Sequence, residues 1–178
     1  MSAKILPCLW FDGNAEEAMR FYASVFRNVK FVDEMHYTEA GPGPAGSLLS
    51  VTVEIEGQRF VALNGGPQFK FTPAVSFLVN CDTQEEIDRL WAGLCESGTP
   101  IQCGWVTDRY GLSWQIVPRT LLRMLTDPDS ERAARVMRAM FKMVKLDVAA
   151  LTRAYEEATR GSPMVRSEAA HGSARARR

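Results

Sequence analysis

The 178-residue chain lacks a long apolar run, a paired cysteine motif, any excess of charge and all but two histidines. No stretch approaches the ~18 apolar residues of a membrane-spanning helix. The opening MSAKILPCLW has one lysine and no extended apolar stretch, so it does not read as a secretion signal. Basic and acidic side chains number 21 each, and the chain as a whole carries no field that draws it to nucleic acid or an anionic membrane. Cys8, Cys81, Cys95 and Cys103 include no C-x-x-C pair, which argues against a zinc knuckle. In a reducing compartment they stay as thiols. The expectation is a soluble, cytoplasmic protein with no nucleic-acid or membrane partner.

What is present is patterned. Ile5 to Phe11 is short and apolar, as a buried strand is, and ends at the Asp12-Gly13 turn signal. Asn14 with Glu17 three residues on is a capping-box arrangement. Ala15, Ala18, Met19, Tyr22 and Phe26 follow at helical spacing. Val29 to Tyr37 reads as a strand and TEAGPGPAG as a loop. Ser47 to Ile55 and Arg59 to Leu63 read as a hairpin about Glu56-Gly57-Gln58. Asn64-Gly65-Gly66-Pro67 then breaks the pattern.

The same order returns. Ala74 to Asn80 reads as a strand, Asp82 with Glu85 as a cap, and Ile87, Leu90, Trp91 and Leu94 as an apolar helical stripe. Ser97-Gly98-Thr99-Pro100 stops the helix. Ile101 to Thr107 and Leu112 to Val117 read as strands about Asp108-Arg109-Tyr110-Gly111. The offset is about 68 residues, Leu9 matching Phe77 and Phe11 matching Val79. The fold class is α+β: a duplicated strand-and-helix unit over residues 1–118 whose two copies pair into one closed unit, expected to wall one small-molecule pocket.

After Pro118 the character changes. Leu121 to Leu125 is a helical turn, and Asp129 to Met140 and Asp147 to Ala158 are helical by period with aspartate caps. Residues 119–160 form a C-terminal helical extension. Its Met124, Met137, Met140 and Met143 serve as flexible packing or as a partner groove. Residues 161–178, small, polar and basic, read as a disordered tail.

LPCLWFDGNAEEAMRFYASVF, FVALNGGPQFKFTPAVSF and CGWVTDRYGLSWQIVP resemble the PhnB-like branch of the vicinal-oxygen-chelate superfamily, which includes glyoxalases and bleomycin-resistance proteins. Members of this branch often carry the label 3-demethylubiquinone-9 3-methyltransferase. The resemblance runs from about Ile5 to Ala158. It implies paired βαβββ modules with a cleft, and a homodimer. In the superfamily's metalloenzymes a histidine stands early in the first strand of each module and a glutamate late in the last. Those positions fall here on Leu6 and Ala74, on Gln115, and near Ala62 or Leu63. One neutral amide is not a divalent-ion site, so no metal is expected. The glycine clusters GPGPAG and NGGP join no strand to a helix, so no methyl-donor cofactor is expected either.

Alternation turns Leu6, Cys8 and Trp10 toward the cleft, with Ser76, Leu78 and Asn80 in the second module. Trp10 either stacks on a planar ligand or packs in the core. Asn64, beside two glycines, presents an amide or sits in a turn. Gln115 contacts ligand or satisfies backbone, and His36 is a general base or a lone surface histidine. Cys8, Trp10, His36, Asn64 and Gln115 are the candidate ligand-binding set, and no catalytic residue is assigned. Three functions compete: a metal-free small-molecule binding protein, an enzyme of unassigned reaction, and a dimeric interaction module using the methionine-rich helices.

Overall fold

Pro7 has no amide hydrogen to give a ladder, and the first strand begins just after it: β1 spans Cys8–Phe11, not Ile5 onward. The computed structural model describes residues 4–157. The expectation for 161–178, and the end of the last expected helix, lie outside the described residues. The first module continues with α1 (Ala15–Val25), β2 (Val29–His36), β3 (Leu48–Ile55) and β4 (Gln58–Asn64). The second has β5 (Ser76–Cys81), α2 (Gln84–Cys95), β6 (Thr99–Pro100), β7 (Trp105–Thr107) and β8 (Ser113–Pro118).

Each module closes the same sheet. The strand orders are β1-β4-β3-β2 and β5-β8-β7-β6. In each, the first strand runs parallel to the last and the others form an antiparallel meander. The registers correspond: Trp10 lies opposite Leu63, and Leu78 opposite Gln115.

Two caps are made differently from expectation. Asn14 makes no side-chain bond to α1; instead Asn64 Oδ1, from the end of β4, accepts from the Ala15 amide at 2.9 Å. In the second module Thr83 is the cap, its hydroxyl accepting from the Glu86 amide at 3.2 Å. Asp82 is freed to pair with Arg119 at 2.6 Å. The strand expected over 101–107 is shortened to its last three residues, β7, while β6 forms just before it, in the stretch expected to end the helix. Cys103 and Gly104 both hold positive φ (61° and 82°) and turn the chain between β6 and β7. A Cβ on Gly104 would lie 2.7 Å from the Ile116 carbonyl oxygen, so only glycine fits there.

The core is shared. Leu9 and Phe11 of β1, Val51, Val53 and Ile55 of β3, and Phe60 and Ala62 of β4 are buried against α1 on one face of the first sheet. They belong to the same cluster as Ile87, Leu90 and Leu94 of α2 and Trp114 and Ile116 of β8. Phe60 meets Phe77 at 5.0 Å between centroids, and Phe26 meets Trp114 at 5.2 Å. The sheets thus join through their helix-bearing faces, and the other face of each looks away from the shared core. Both halves of the chain do line one hollow of about 500 Å³, with Phe26, Ile55 and Phe60 from the first module and Phe77, Asn80 and Trp114 from the second. It lies along β5 beside the shared core, where Tyr22, Phe26 and Trp114 direct the large aromatic burial, and it takes in none of Cys8, Trp10, His36, Asn64 and Gln115.

The extension is helical: α3 (Leu121–Leu125), α4 (Ser130–Met140) and α5 (Val148–Glu156). Asp129 and Asp147 cap α4 and α5 as their sequence positions indicate. A second, smaller cluster holds it to β8: Val117, Leu121, Met124, Val136, Leu146 and Leu151. Among the described residues no helix is long and apolar enough to cross a membrane.

Candidate ligand-binding faces

The outer face of the first sheet presents Cys8 and Trp10 of β1 beside Val61 and Leu63 of β4. Trp10 is half-buried. Its indole Nε1 donates to the Gly66 carbonyl at 2.8 Å, and its ring meets Phe69 edge-on at 5.0 Å. A Cβ on Gly65 would stand 2.2 Å from the ring, so the glycine is what allows the loop to lie on the indole. One ring face is thus taken by the chain's own loop. Cys8 is exposed, and partial desolvation pushes its thiol pKa up, which keeps it protonated and poor as a nucleophile.

Asn64 is occupied. Beyond holding Ala15, its Nδ2 donates to the Leu48 carbonyl at 3.1 Å. It borders a hollow of about 580 Å³ that gathers Gly65, Gly66, Tyr37 and Gly43, bringing both glycine clusters to one place. His36 is at the far edge strand, paired with Leu48 and 3.9 Å from Glu34, with about half of each side chain exposed. It does not join Trp10.

Gln115 stands on the outer face of the second sheet, between Leu78 and Trp105. Its Nε2 donates to the Ser76 hydroxyl at 2.9 Å, which leaves the amide oxygen as the acceptor on that face. Cys8 and Trp10 therefore share one face, Asn64 and His36 lie at its end and edge, and Gln115 lies on the other sheet. The structure does not bring the five together within one chain.

Sequence reasoning missed Asp108, the one buried carboxylate among the described residues, 4% exposed. Its Oδ2 accepts from Tyr22 Oη and Trp114 Nε1, both at 2.8 Å. Its Oδ1 accepts from the amides of Tyr110 and Leu112. Burial, then the facing Asp108 charge, hold the Tyr22 phenol neutral far above its usual range. Asp108 had registered only as a turn residue, because no local signal announces a partner 86 positions away.

A divalent ion does not fit the superfamily's metal positions. Leu6 and Ala74 offer hydrocarbon, Leu63 occupies the register that Gln115 has in the second module, and the Gln115 amide is engaged with Ser76. Among the described residues no three His, Cys, Asp or Glu side chains gather at one point. A nucleotide-like methyl donor fits poorly too. The first α1 amide is taken by Asn64, while Glu16 and Glu17 place negative charge in its first turn.

Two mixed four-stranded sheets, each built as βαβββ and joined through their helices, define the glyoxalase/bleomycin-resistance class of fold. Within it, the chain belongs to the 3-demethylubiquinone-9 3-methyltransferase family, the PhnB-like branch, whose sequence profile matches residues 3–117. It is similar to the PhnB protein of Bacillus cereus: 38% identity, TM-score 0.59, covering 65% of this chain and 99% of that one. A protein of Pseudomonas aeruginosa shares the fold at 24% identity and TM-score 0.50, covering 64% of this chain and 95% of that one. Comparison with curated proteins gives no match. The family profile ends before α3, so the helical extension lies outside it.

Proposed function

We propose that the protein is a metal-free small-molecule binding protein that works as a homodimer. The observation that carries this reading is the state of the two outer sheet faces. Trp10, Val61 and Leu63 on one, and Trp105 and Gln115 on the other, are only half-buried, while Leu78 is 53% and Met35 58% exposed. Apolar strand faces of this kind are commonly covered by a partner. A second copy that lays its second sheet across the first sheet of its partner encloses two equivalent pockets. Each then has the Trp10 edge and Leu63 as an apolar wall, and the Gln115 oxygen as an acceptor. That lining suits a small, largely apolar molecule carrying a hydrogen-bond donor. A cytoplasmic location accords with four free thiols.

Light scattering on the eluted protein tests the assembly, and a thermal-shift screen of metabolites and planar antibiotics tests the pocket. The expected result is a dimer whose melting point rises with at least one compound, and whose shift is lost in Gln115→Leu. A monomer, or a dimer that no compound stabilises, overturns the reading. Stoichiometric zinc, iron or manganese in the purified protein overturns its metal-free part.

A further inference from the structure

The neutral balance of the chain hides a division. Residues 1–118 carry eight lysines and arginines against fourteen acids, and residues 119–178 carry thirteen against seven. Two of the latter cations seat the extension on the acidic body, Arg119 on Asp82 and Lys145 on Asp88, both at 2.6 Å. Others face solvent together.

Arg135, Arg138 and Lys142 stand at i, i+3 and i+7 of one stripe of α4 and its last turn. They line a groove of about 480 Å³ against Ala154 and Glu157 of the α5 end. Arg135 is held there by its Nε bond to the Ala154 carbonyl at 3.1 Å. Among the described residues none of the three makes an ion pair. Like charges at this spacing repel, so the stripe is kept against a small cost in helix stability. Beyond Glu157 the sequence adds Arg160, Arg166, Arg175, Arg177 and Arg178 against the single Glu168.

Beside the basic stripe runs an apolar one. Met137 and Phe141, one turn apart, are 44% and 58% exposed, and Val144 follows at 48%. Arg138 is one turn from Phe141, so the stripes are contiguous. Val136, fully buried, faces the extension's own core. The outward surface of α4 is therefore cationic along one side and apolar along the other. Nucleic acid accounts for the cations alone; the paired stripes match a bilayer interface, with anionic headgroups over the arginines and acyl chains under the aromatic ring.

We propose that the extension docks the protein on an anionic membrane surface, lying on it without spanning it. The test is co-sedimentation of the full chain with vesicles of phosphatidylcholine, alone or with a third phosphatidylglycerol. The protein is expected to sediment only with the anionic vesicles and to be released by high salt. Arg138→Gln with Lys142→Gln is expected to weaken binding by on the order of 30-fold, at about one kcal/mol per cation lost. Arg135 is left intact because it also ties α4 to α5. Met137→Ser with Phe141→Ser keeps the charge and is expected to weaken vesicle binding as well, with an unchanged melting point. Absence from anionic vesicles at low salt overturns the proposal. So does full binding by the Met137/Phe141 variant, tighter binding to duplex DNA at equal phosphate, or salt-sensitive self-association without lipid.

Discussion

Asp108 accepts four hydrogen bonds from four donors and takes part in no ion pair among the described residues, so its buried carboxylate is held by those four donors. Asparagine keeps the shape but turns a donor toward Tyr22 and Trp114, which are themselves donors. Asp108→Asn is expected to lower unfolding free energy by about 2–4 kcal/mol, read from urea titration. A loss under half a kcal/mol would show that Tyr22 and Trp114 find other partners. Trp10 yields a second prediction at this scale. Gly65→Ala puts a methyl into its ring, so the indole must leave its seat under the 65–69 loop. The expected cost is about 1–3 kcal/mol, with a red-shifted tryptophan emission as the ring meets water. An unshifted spectrum would mean that the loop moves instead. Neither environment was legible in the sequence. Trp10 could be placed on the outer face by alternation, but the Gly66 carbonyl that holds it comes from 56 positions away.

At the scale of elements, what could be read was whatever repeats or has a local period. The 68-residue correspondence placed β1 with β5 and α1 with α2, and the aspartates at 129 and 147 marked the starts of α4 and α5. What could not be read was whatever depends on a distant chain. β6 is two residues long and includes a proline, so it reads as a helix stop; it is a strand only because β7 lies beside it. The Asn14 box goes unused because Asn64 arrives first. The extension was read as helices, yet its attachment was not. Gln84 of α2 donates to the Leu146 carbonyl and accepts from the Val148 amide, and the amides of Cys103 and Gly104 donate to the carbonyls of Met143 and Val144. Leu146 is fully buried at this joint, against Gly104. Leu146→Ala is expected to cost about 2–5 kcal/mol. Hydrogen exchange should show where: amides of α4 and α5 speed up, while those of β3, β4 and β8 keep their protection. Uniform acceleration through both regions would mean that the smaller core does not open separately.

For the whole molecule, the decisive fact is that Tyr22, Phe26, Phe60, Phe77 and Trp114 belong to one cluster drawn from both modules. Neither module keeps its core when the other leaves, so the body should unfold in one transition. The same cluster governs its response to alkali. Burial, reinforced by Asp108, raises the Tyr22 phenol well above its usual range. Burial, then the Glu17 carboxylate that Tyr110 Oη bonds at 2.9 Å, pushes Tyr110 up to about 12. Burial likewise raises the Cys81 thiol to about 12. In the unfolded chain the tyrosines titrate near 10 and the thiol somewhat lower. Between roughly those values and 12 the unfolded chain has released protons that the native chain still holds. The native state binds more protons there, so stability is complete below that window and declines as pH rises through it. Unfolding free energy by urea is expected to be level from neutrality to about pH 8 and to fall steadily toward pH 11. Phenolate absorbance should lag behind that of a denatured control over the same interval. Tyr110→Phe removes one of the three groups and should make the decline shallower. A native chain whose tyrosines ionise together with the denatured control's, with level stability to pH 11, would place these phenols in water and contradict the shared core.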